Sequence, residues 1–400
     1  MYFQALDDKE QCIGIYYSGE LVFDETRFPQ DMSGFKTWKY SGSIKEPDVD
    51  FMWFYNDGKN LSDSCPEELF EELKNKQTKM NAFKKAFEIA KIDFREHCFF
   101  DLVPHDFLVE FLETKNKITQ YVYENYARPA NYEHLVSVEK LLYKIRYQKL
   151  NLNNSNCMNL FTSSQNRAMA QKILKGNRYI DYNIFGTKTG RLSTHPGSFP
   201  ILTMKKDFRA LIKPRNEWLV SLDYNGAEVR TVMSLLGIKQ PDYDVHEWNM
   251  EHVLKTAGIT DREAAKTTFF GWLYNPRSTK IKDSIYDREE ILAKYYDSGH
   301  IKTPFSRKII VDKDKALNYI VQSTTADLVN ERAVEIDKFL QGKKSFISHI
   351  VHDEVVVDVA DSERNLIPEI KNIFSVNKLG TYKTNLKAGK DYLNLGELKL

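Results

Sequence analysis

The sequence predicts a mixed α/β (α+β) chain with more than one domain, on three observations. Near the C-terminus, Ile350-Val351-His352-Asp353-Glu354-Val355-Val356-Val357-Asp358-Val359 reads as two β-branched strands around a polar tip. Residues 64–150 carry apolar side chains at helical spacing, and past the polar break Asn151-Leu152-Asn153-Asn154-Ser155-Asn156 short strands alternate with helices.

Composition bounds the class. Four hundred residues exceed one ordinary domain, and 42% hydrophobic with 28% charged residues is ordinary for a globular chain. No apolar run is long enough to span a bilayer, and Met1-Tyr2-Phe3-Gln4-Ala5-Leu6-Asp7-Asp8 lacks the basic-then-apolar order of a signal peptide. A cytoplasmic protein without a membrane partner is expected. Cys12, Cys65, Cys98 and Cys157 lie far apart and predict reduced thiols, neither a disulfide frame nor a zinc site. The net charge of +1 selects no partner. Two basic clusters, Lys140/Lys144/Arg146/Lys149 and Lys205/Lys206/Arg209/Lys213/Arg215, suit a phosphate-tracking surface, though each taken alone reads first as a solvated face.

In chain order, Gln11–Tyr17 and Glu20–Asp24 read as a hairpin across Ser18-Gly19. Ser64-Cys65-Pro66 has the cap-then-proline order that starts a helix, carried by Leu69, Leu73, Met80, Phe83, Phe87 and Ala90 to about Ile92. Two amphipathic helices follow, near Asp106–Tyr126 and Tyr132–Leu150. Beyond the polar break come a strand at Trp218–Tyr224, a helix at Gly226–Leu236 and further helices within 245–296. A long helix over 313–339, strands at 345–351 and 354–359, a helix at 364–374 and a closing β segment complete the chain.

Four further segments carry chemistry. In Trp218–Arg230 a strand ends in Asp223 and a helix begins, with Glu228 one turn inside it. Asp223 suits a hard divalent cation, and a helix-capping Asp fits the same pattern. In Arg262–Tyr274, the i, i+4 stripe Arg262, Lys266, Phe270, Tyr274 passes from cations to aromatics. That order suits a triphosphate at one end and a stacked base at the other, while an amphipathic surface helix fits as well. Thr187-Lys188-Thr189-Gly190-Arg191-Leu192-Ser193 is a polar glycine-containing loop. On the long helix, Asn318 and Gln322 share a face able to meet a base edge or sugar.

In order, these segments resemble the motifs of family A DNA polymerases, T-x-T-G-R-L-S, D-Y-S-x-I-E-L-R, R-x-x-x-K-x-x-x-F-G-x-x-Y-G, N-x-x-x-Q-G-T-A-A-D and V-H-D-E, with an echo at Asp244-Val245-His246. The match spans about residues 180–360 and resembles a compact phage-type member. The resemblance implies a right-hand polymerase fold of palm, fingers and thumb, with a small β-rich N-terminal module. The corresponding ranges are 1–100 for that module with its helix (an exonuclease remnant), 101–180 for thumb helices, 181–236 for the first palm part, 237–310 for fingers and 311–400 for the second palm part.

It also implies DNA-templated extension of a primer 3′-hydroxyl by dNTPs with release of pyrophosphate, on two Mg²⁺ ions that Mn²⁺ can replace. Asp223 and Asp353 would hold the metals with the Tyr224 carbonyl, and Glu354 would stand beside them as a secondary carboxylate. Lys266, Arg262 and His246 would contact the triphosphate. Phe270 and Tyr274 would pack around the nascent pair, Phe270 in place of Tyr implying discrimination against dideoxynucleotides. Glu228 would exclude a ribose 2′-hydroxyl. Arg191, Asn318, Gln322 and His352 would touch the primer–template, and Arg209 the DNA backbone.

Implied partners are primer–template DNA and dNTPs, with a replicative helicase-primase or a separate exonuclease; the enzyme would be a monomer in phage or plasmid replication or repair. Asp8-Lys9-Glu10 offers a D-x-E in a tight β turn without later acidic motifs, so no 3′–5′ proofreading is expected. The sequence departs from the family at Asn225-Gly226, where Ser-Gln is usual, at Asn275, where glycine is usual, and in a short Lys266–Asp353 interval. A single-subunit RNA polymerase relative, disfavoured by Glu228, and an inactive polymerase-like clamp, disfavoured by intact Asp223, Lys266 and Asp353, remain the alternatives.

Overall fold

A computed structural model of the chain describes residues 1–6, 14–42, 44, 48–94, 97–153, 163–255, 258–279, 281 and 285–400. It divides into two units, Met1–Tyr143 and Lys144–Leu400.

The first unit opens with an antiparallel sheet of β1 (Phe3–Ala5), β2 (Ile15–Tyr17) and β3 (Glu20–Val22). Ser18 and Gly19, at φ 52° and 87°, form the predicted turn, and two positive φ values match the twist of paired strands. The Asp8–Glu10 motif and the predicted strand start at Gln11 lie outside the described residues. Helices α1 (Phe70–Ile89), α2 (His105–Asn125) and α3 (Tyr132–Arg146) follow. Helix α1 starts later than predicted because Ser64 does not cap it: its hydroxyl donates to the Asn60 carbonyl and accepts from Asn56, and a 3₁₀ turn at Glu67–Leu69 intervenes. In α2, Leu108, Leu112, Ile118 and Val122 are fully buried, two i, i+4 pairs that fall on one face and make an amphipathic helix pack. The expectation of reduced thiols fails at Cys98, which is disulfide-bonded. Cys65 is free, and Cys12 and Cys157 lie outside the described residues. Sequence spacing carries no information about which cysteines approach in space.

In the second unit Leu152 pairs with Ile212, and α4 (Ser164–Lys175) is capped by the Ser163 hydroxyl. Its centre is a five-stranded antiparallel sheet built from β4 (Trp218–Tyr224), β8 (Phe346–Val351), β9 (Glu354–Val359), β10 (Thr384–Gly389) and β11 (Gly396–Glu397), in the order β8-β9-β4-β10-β11. Strand β4 reads as a near-continuous apolar run because Leu219, Val220 and Leu222 are all fully buried. Its register sets Asp223 opposite Glu354 on one neighbour and Asn385 on the other. Between β4 and β8 come α5 (Ala227–Leu235), α6 (Val245–His252), α7 (Arg262–Tyr274), α8 (Arg288–Tyr295), a small sheet of β5 (Tyr296–Asp297), β6 (His300–Lys302) and β7 (Lys308–Ile310), and the long α9 (Lys313–Phe339). Helix α10 (Ile367–Ser375) packs on α9. Val232, Phe269, Trp272, Leu273, Ile291 and Ile320 join these helices in one core. Among the described residues no helix is long and apolar enough to cross a membrane.

Candidate active site

Two strand ends deliver the acids. β8 and β9 are joined by a two-residue turn, His352-Asp353, with Val351 paired to Glu354. His352 holds a left-handed φ of 57°, a conformation that costs a non-glycine residue about 1–2 kcal/mol. The turn sets Asp353 near Asp223 at the end of β4. Burial first, and then the charge of Asp353, push the Asp223 carboxyl up to about 7, against the opposing hydrogen bond from Asn385 Nδ2 at 3.4 Å. Outside the turn, the Tyr182 hydroxyl donates to the Ile350 carbonyl at 2.5 Å and accepts from the Ile350 amide at 2.9 Å, tying the segment before Thr187 to β8.

A cavity of about 500 Å³ opens beside this pair. It is lined by Arg191, Asp223, Tyr224, Glu228, His246, Arg262, Lys266, Phe270, Tyr274, His352 and Asp353, all singled out in the sequence. Glu228 is 7% exposed. It pairs with the Arg191 guanidinium and accepts the Tyr274 hydroxyl at 2.7 Å. Burial raises its pKa against those two partners. Arg191 reaches Glu228 from a loop anchored underneath: Gly190 sits at φ 75°, and a Cβ there would lie 2.5 Å from the Arg307 guanidinium. Arg307 in turn makes a buried two-point pair with Asp327 of α9, at 2.9 and 2.6 Å. Losing one partner of such a pair costs roughly 3–5 kcal/mol.

On the opposite wall, α7 begins at an Asp261 cap and shows the predicted stripe. The Phe270 and Tyr274 rings stack with centroids 5.8 Å apart. Arg262 pairs with Asp244 at 2.8 Å. His246 is buried with Nδ1 unpartnered, and desolvation holds its pKa down to about 4, so its imidazole is neutral at pH 7.

Four predicted residues lie elsewhere. Glu354 and Arg209 face a second cavity of about 360 Å³ that also contains Lys206, Lys387 and one side of Asp223. Both Glu354 oxygens are occupied, by the Ser221 hydroxyl at 2.5 Å and the Tyr392 hydroxyl at 2.6 Å. The Arg209 guanidinium lies 4.7 Å from the Tyr392 ring centroid. Asn318 and Gln322 share the predicted face of α9 without lining the main cavity; Gln322 hydrogen-bonds Tyr274, and Thr325, Ala326 and Val329 line the cavity instead. Sequence reasoning missed those three and Asn385, whose position beside Asp223 is a matter of register between distant strands.

Gly226, one of the two departures at 225–226, is required by packing. It sits at φ 68°, and an added Cβ would fall 2.4 Å from Val245 Cγ1 and 3.3 Å from His246 Nε2. Gly226→Ala should therefore destabilise the chain by about 1–3 kcal/mol, read from denaturant unfolding. Unchanged stability would mean that α6 moves aside without cost.

No protein-family model matches the chain. It is 23% identical over 267 residues to DNA polymerase I of Aquifex aeolicus, covering 55% of this chain and 45% of that protein. It is 24% identical over 238 residues to DNA polymerase I of Pseudomonas aeruginosa, covering 46% of this chain and 26% of that protein. The chain thus spans less than half the length of the curated relatives it matches. Among solved structures it resembles the POL domain of Pol1 from M. smegmatis, which was solved in complex with DNA primer-template and dNTP. The TM-score is 0.69 at 11% identity, over 98% of this chain and 95% of that one. The fold is that of a polymerase domain. The chain is thus similar to DNA polymerases I in sequence, and its five motifs stand in the order that family A sequences show.

Proposed function

We propose that the chain is a DNA-templated DNA polymerase that extends a primer 3′-hydroxyl with dNTPs and releases pyrophosphate. The observation that carries this reading is the convergence of Asp223, Asp353, Lys266, Arg262 and Glu228 on one cavity. The donor set fits hard divalent ions. Asp223 ends strand β4 and Asp353 lies in the β8–β9 turn, and burial together with the charge of Asp353 raises Asp223. Among the described residues no group of three or more acidic, His or Cys side chains is placed to hold a metal ion by itself. Mg²⁺ commonly takes only one or two carboxylates beside substrate phosphates, so a pair suffices. Two Mg²⁺ ions, or Mn²⁺ in their place, held by Asp223, Asp353 and the Tyr224 carbonyl, would acidify the 3′-hydroxyl and neutralise the leaving pyrophosphate.

The chain's own residues do the positioning. Lys266 and Arg262 bind the triphosphate and offset its growing charge, Lys266 also donating a proton to the leaving group. His246, neutral, offers a hydrogen bond to the outer phosphates rather than a charge. Phe270 and Tyr274 stack on the nascent pair, and Glu228 occupies the space a 2′-hydroxyl would need. Arg191, His352, Asn318 and Gln322 face the primer–template, and Arg209 with Lys206 and Lys387 lines the primer-backbone side. Glu354, held by two hydroxyls, acts as a positioning group beside Asp223.

We assign 181–236 and 311–400 to the palm, 237–310 to the fingers, 101–180 to the thumb and 1–100 to a β-rich module. Proofreading, a helicase-primase and any separate exonuclease are placed on other proteins, in a compact phage-type system working in the host cytoplasm.

Extension of a labelled primer on a template with dNTPs and Mg²⁺ tests the activity, and a 3′-mismatched primer tests proofreading; absence of any templated product would end the proposal. A second expected outcome concerns pH. Metal must bind the ionised form of Asp223, whose pKa is raised to about 7 in the fold. Mg²⁺ affinity should rise about tenfold per pH unit below that value and level off above it. Calorimetric titration at several pH values measures this; affinity independent of pH would remove Asp223 from the ligand set.

A further inference from the structure

Asn225 follows the strand that carries Asp223 and stands where the family usually has serine. It is 7% exposed, and every polar atom of its side chain is engaged. Oδ1 accepts the Val245 amide at 2.8 Å and Arg230 Nη2 at 3.1 Å, while Nδ2 donates to Asp244 Oδ2 at 2.8 Å. The amide orientation is forced, because Val245 N–H and Arg230 are donors only. Arg230, fully buried, also donates from Nε to the Asn225 carbonyl at 2.7 Å, so the side chain is held on two sides.

Asp244 is held as firmly. Its Oδ1 caps α6, accepting the His246 and Glu247 amides at 2.9 and 3.2 Å. Its Oδ2 receives Asn225 and two donors of Arg262, Nη2 at 2.8 Å and Nε at 3.2 Å. Burial alone would raise this carboxyl, but the Arg262 and Asn225 hydrogen bonds outweigh it and keep the group well below the usual range, ionised whenever the protein works. Arg262 itself is long and 42% exposed along its side chain. Such a side chain carries about 2 kcal/mol of rotamer entropy, which a ligand must overcome unless something else has already fixed the guanidinium. Of its five N–H donors, two go to Asp244 and one, on Nη1, to Glu263 at 2.8 Å. Two remain for a phosphate without any existing bond breaking.

We infer that Asn225 is a positioning residue for the incoming nucleotide's phosphates: through Asp244 it holds Arg262 in place at the cavity wall before the triphosphate arrives. The inference rests on the reading of Arg262 as a phosphate ligand. A serine at 225 is one bond shorter, and its single oxygen cannot occupy both the Oδ1 position beside Val245 and Arg230 and the Nδ2 position beside Asp244, so the departure from the family has a defined consequence. Asp244 is a support in this arrangement, not a competitor that the phosphate displaces.

The test is a set of steady-state dNTP titrations on primer–template, with Asn225→Ala, Asp244→Asn, Arg262→Ala and the two doubles containing Arg262→Ala. Asp244→Asn keeps the capping oxygen and loses the charge that anchors Arg262. Thermal unfolding and primer–template affinity of each variant exclude a folding failure. Arg262→Ala should raise the KM for dNTP about tenfold or more, and Asn225→Ala and Asp244→Asn about three- to tenfold, each affecting KM more than kcat. In the Arg262→Ala background the same two changes should add less than about twofold. Equal factors in both backgrounds, or a KM that falls in Asp244→Asn, would overturn the positioning role while leaving Arg262 as a phosphate ligand. A KM unmoved by Arg262→Ala would instead remove that ligand assignment and the inference with it.

Discussion

Asp353→Ala should slow single-turnover primer extension by about a thousandfold or more, the loss expected when several kcal/mol of charge stabilisation leaves the transition state. The same change should leave the metal-free fold as stable as before or slightly more so. Asp353 lies in a two-residue turn, and its charge is the second-largest reason, after burial, that Asp223 is pushed up to about 7. Removing it relieves a repulsion, and sites tuned for function commonly give up stability to keep such charges together. The two readouts move in different directions, which separates a lost ligand from a damaged fold. Extension within tenfold of the parent rate would dissolve the paired-carboxylate assignment.

Glu228→Ala should raise the ratio of ribonucleotide to deoxyribonucleotide kcat/KM by about a hundredfold, the scale on which one pocket group decides between substrates. The side chain cannot swing out of the way in the parent chain: Arg191 and the Tyr274 hydroxyl hold it from two sides. Glu228→Gln keeps the bulk while altering the charge, so it should retain most of the exclusion if bulk is what rejects the 2′-hydroxyl. A ratio unchanged in Glu228→Ala would take the gate away from this residue.

Much of this site was legible in the sequence, and the reasons are physical. Strand Trp218–Tyr224, helix 313–339 and the strand pair at 345–351 and 354–359 could be read because buried strands and long helices write their burial into runs and periods of apolar residues. The i, i+4 stripe from Arg262 to Tyr274 could be read because a helix fixes which side chains share a face. The register that sets Asn385 and Lys387 beside Asp223 could not, since it is decided by pairing across more than 160 residues. Asn318, Gln322, Thr325 and Val329 share one face of α9, and position along the helix axis, which spacing alone does not fix, decides that the last two line the cavity beside Asp223. The cap at Ser64 failed because a serine hydroxyl serves whichever backbone group is nearest, and here that was the preceding loop. The disulfide at Cys98 was beyond any reading of spacing.

Strand β8 is an outer strand of the five-stranded sheet, and it carries one of the two acids' supporting turns. An outer strand with free amides and carbonyls invites a second copy of the chain to add itself, which would distort the turn. Tyr182 blunts this edge: one phenol takes up both the amide and the carbonyl of Ile350, and the register shifts at Ile347–His349, an irregularity of the kind that interrupts regular edge pairing. The same hydroxyl that anchors the segment before Thr187 thus also occupies one amide and one carbonyl of that rim, and Tyr182→Phe would leave both without this partner.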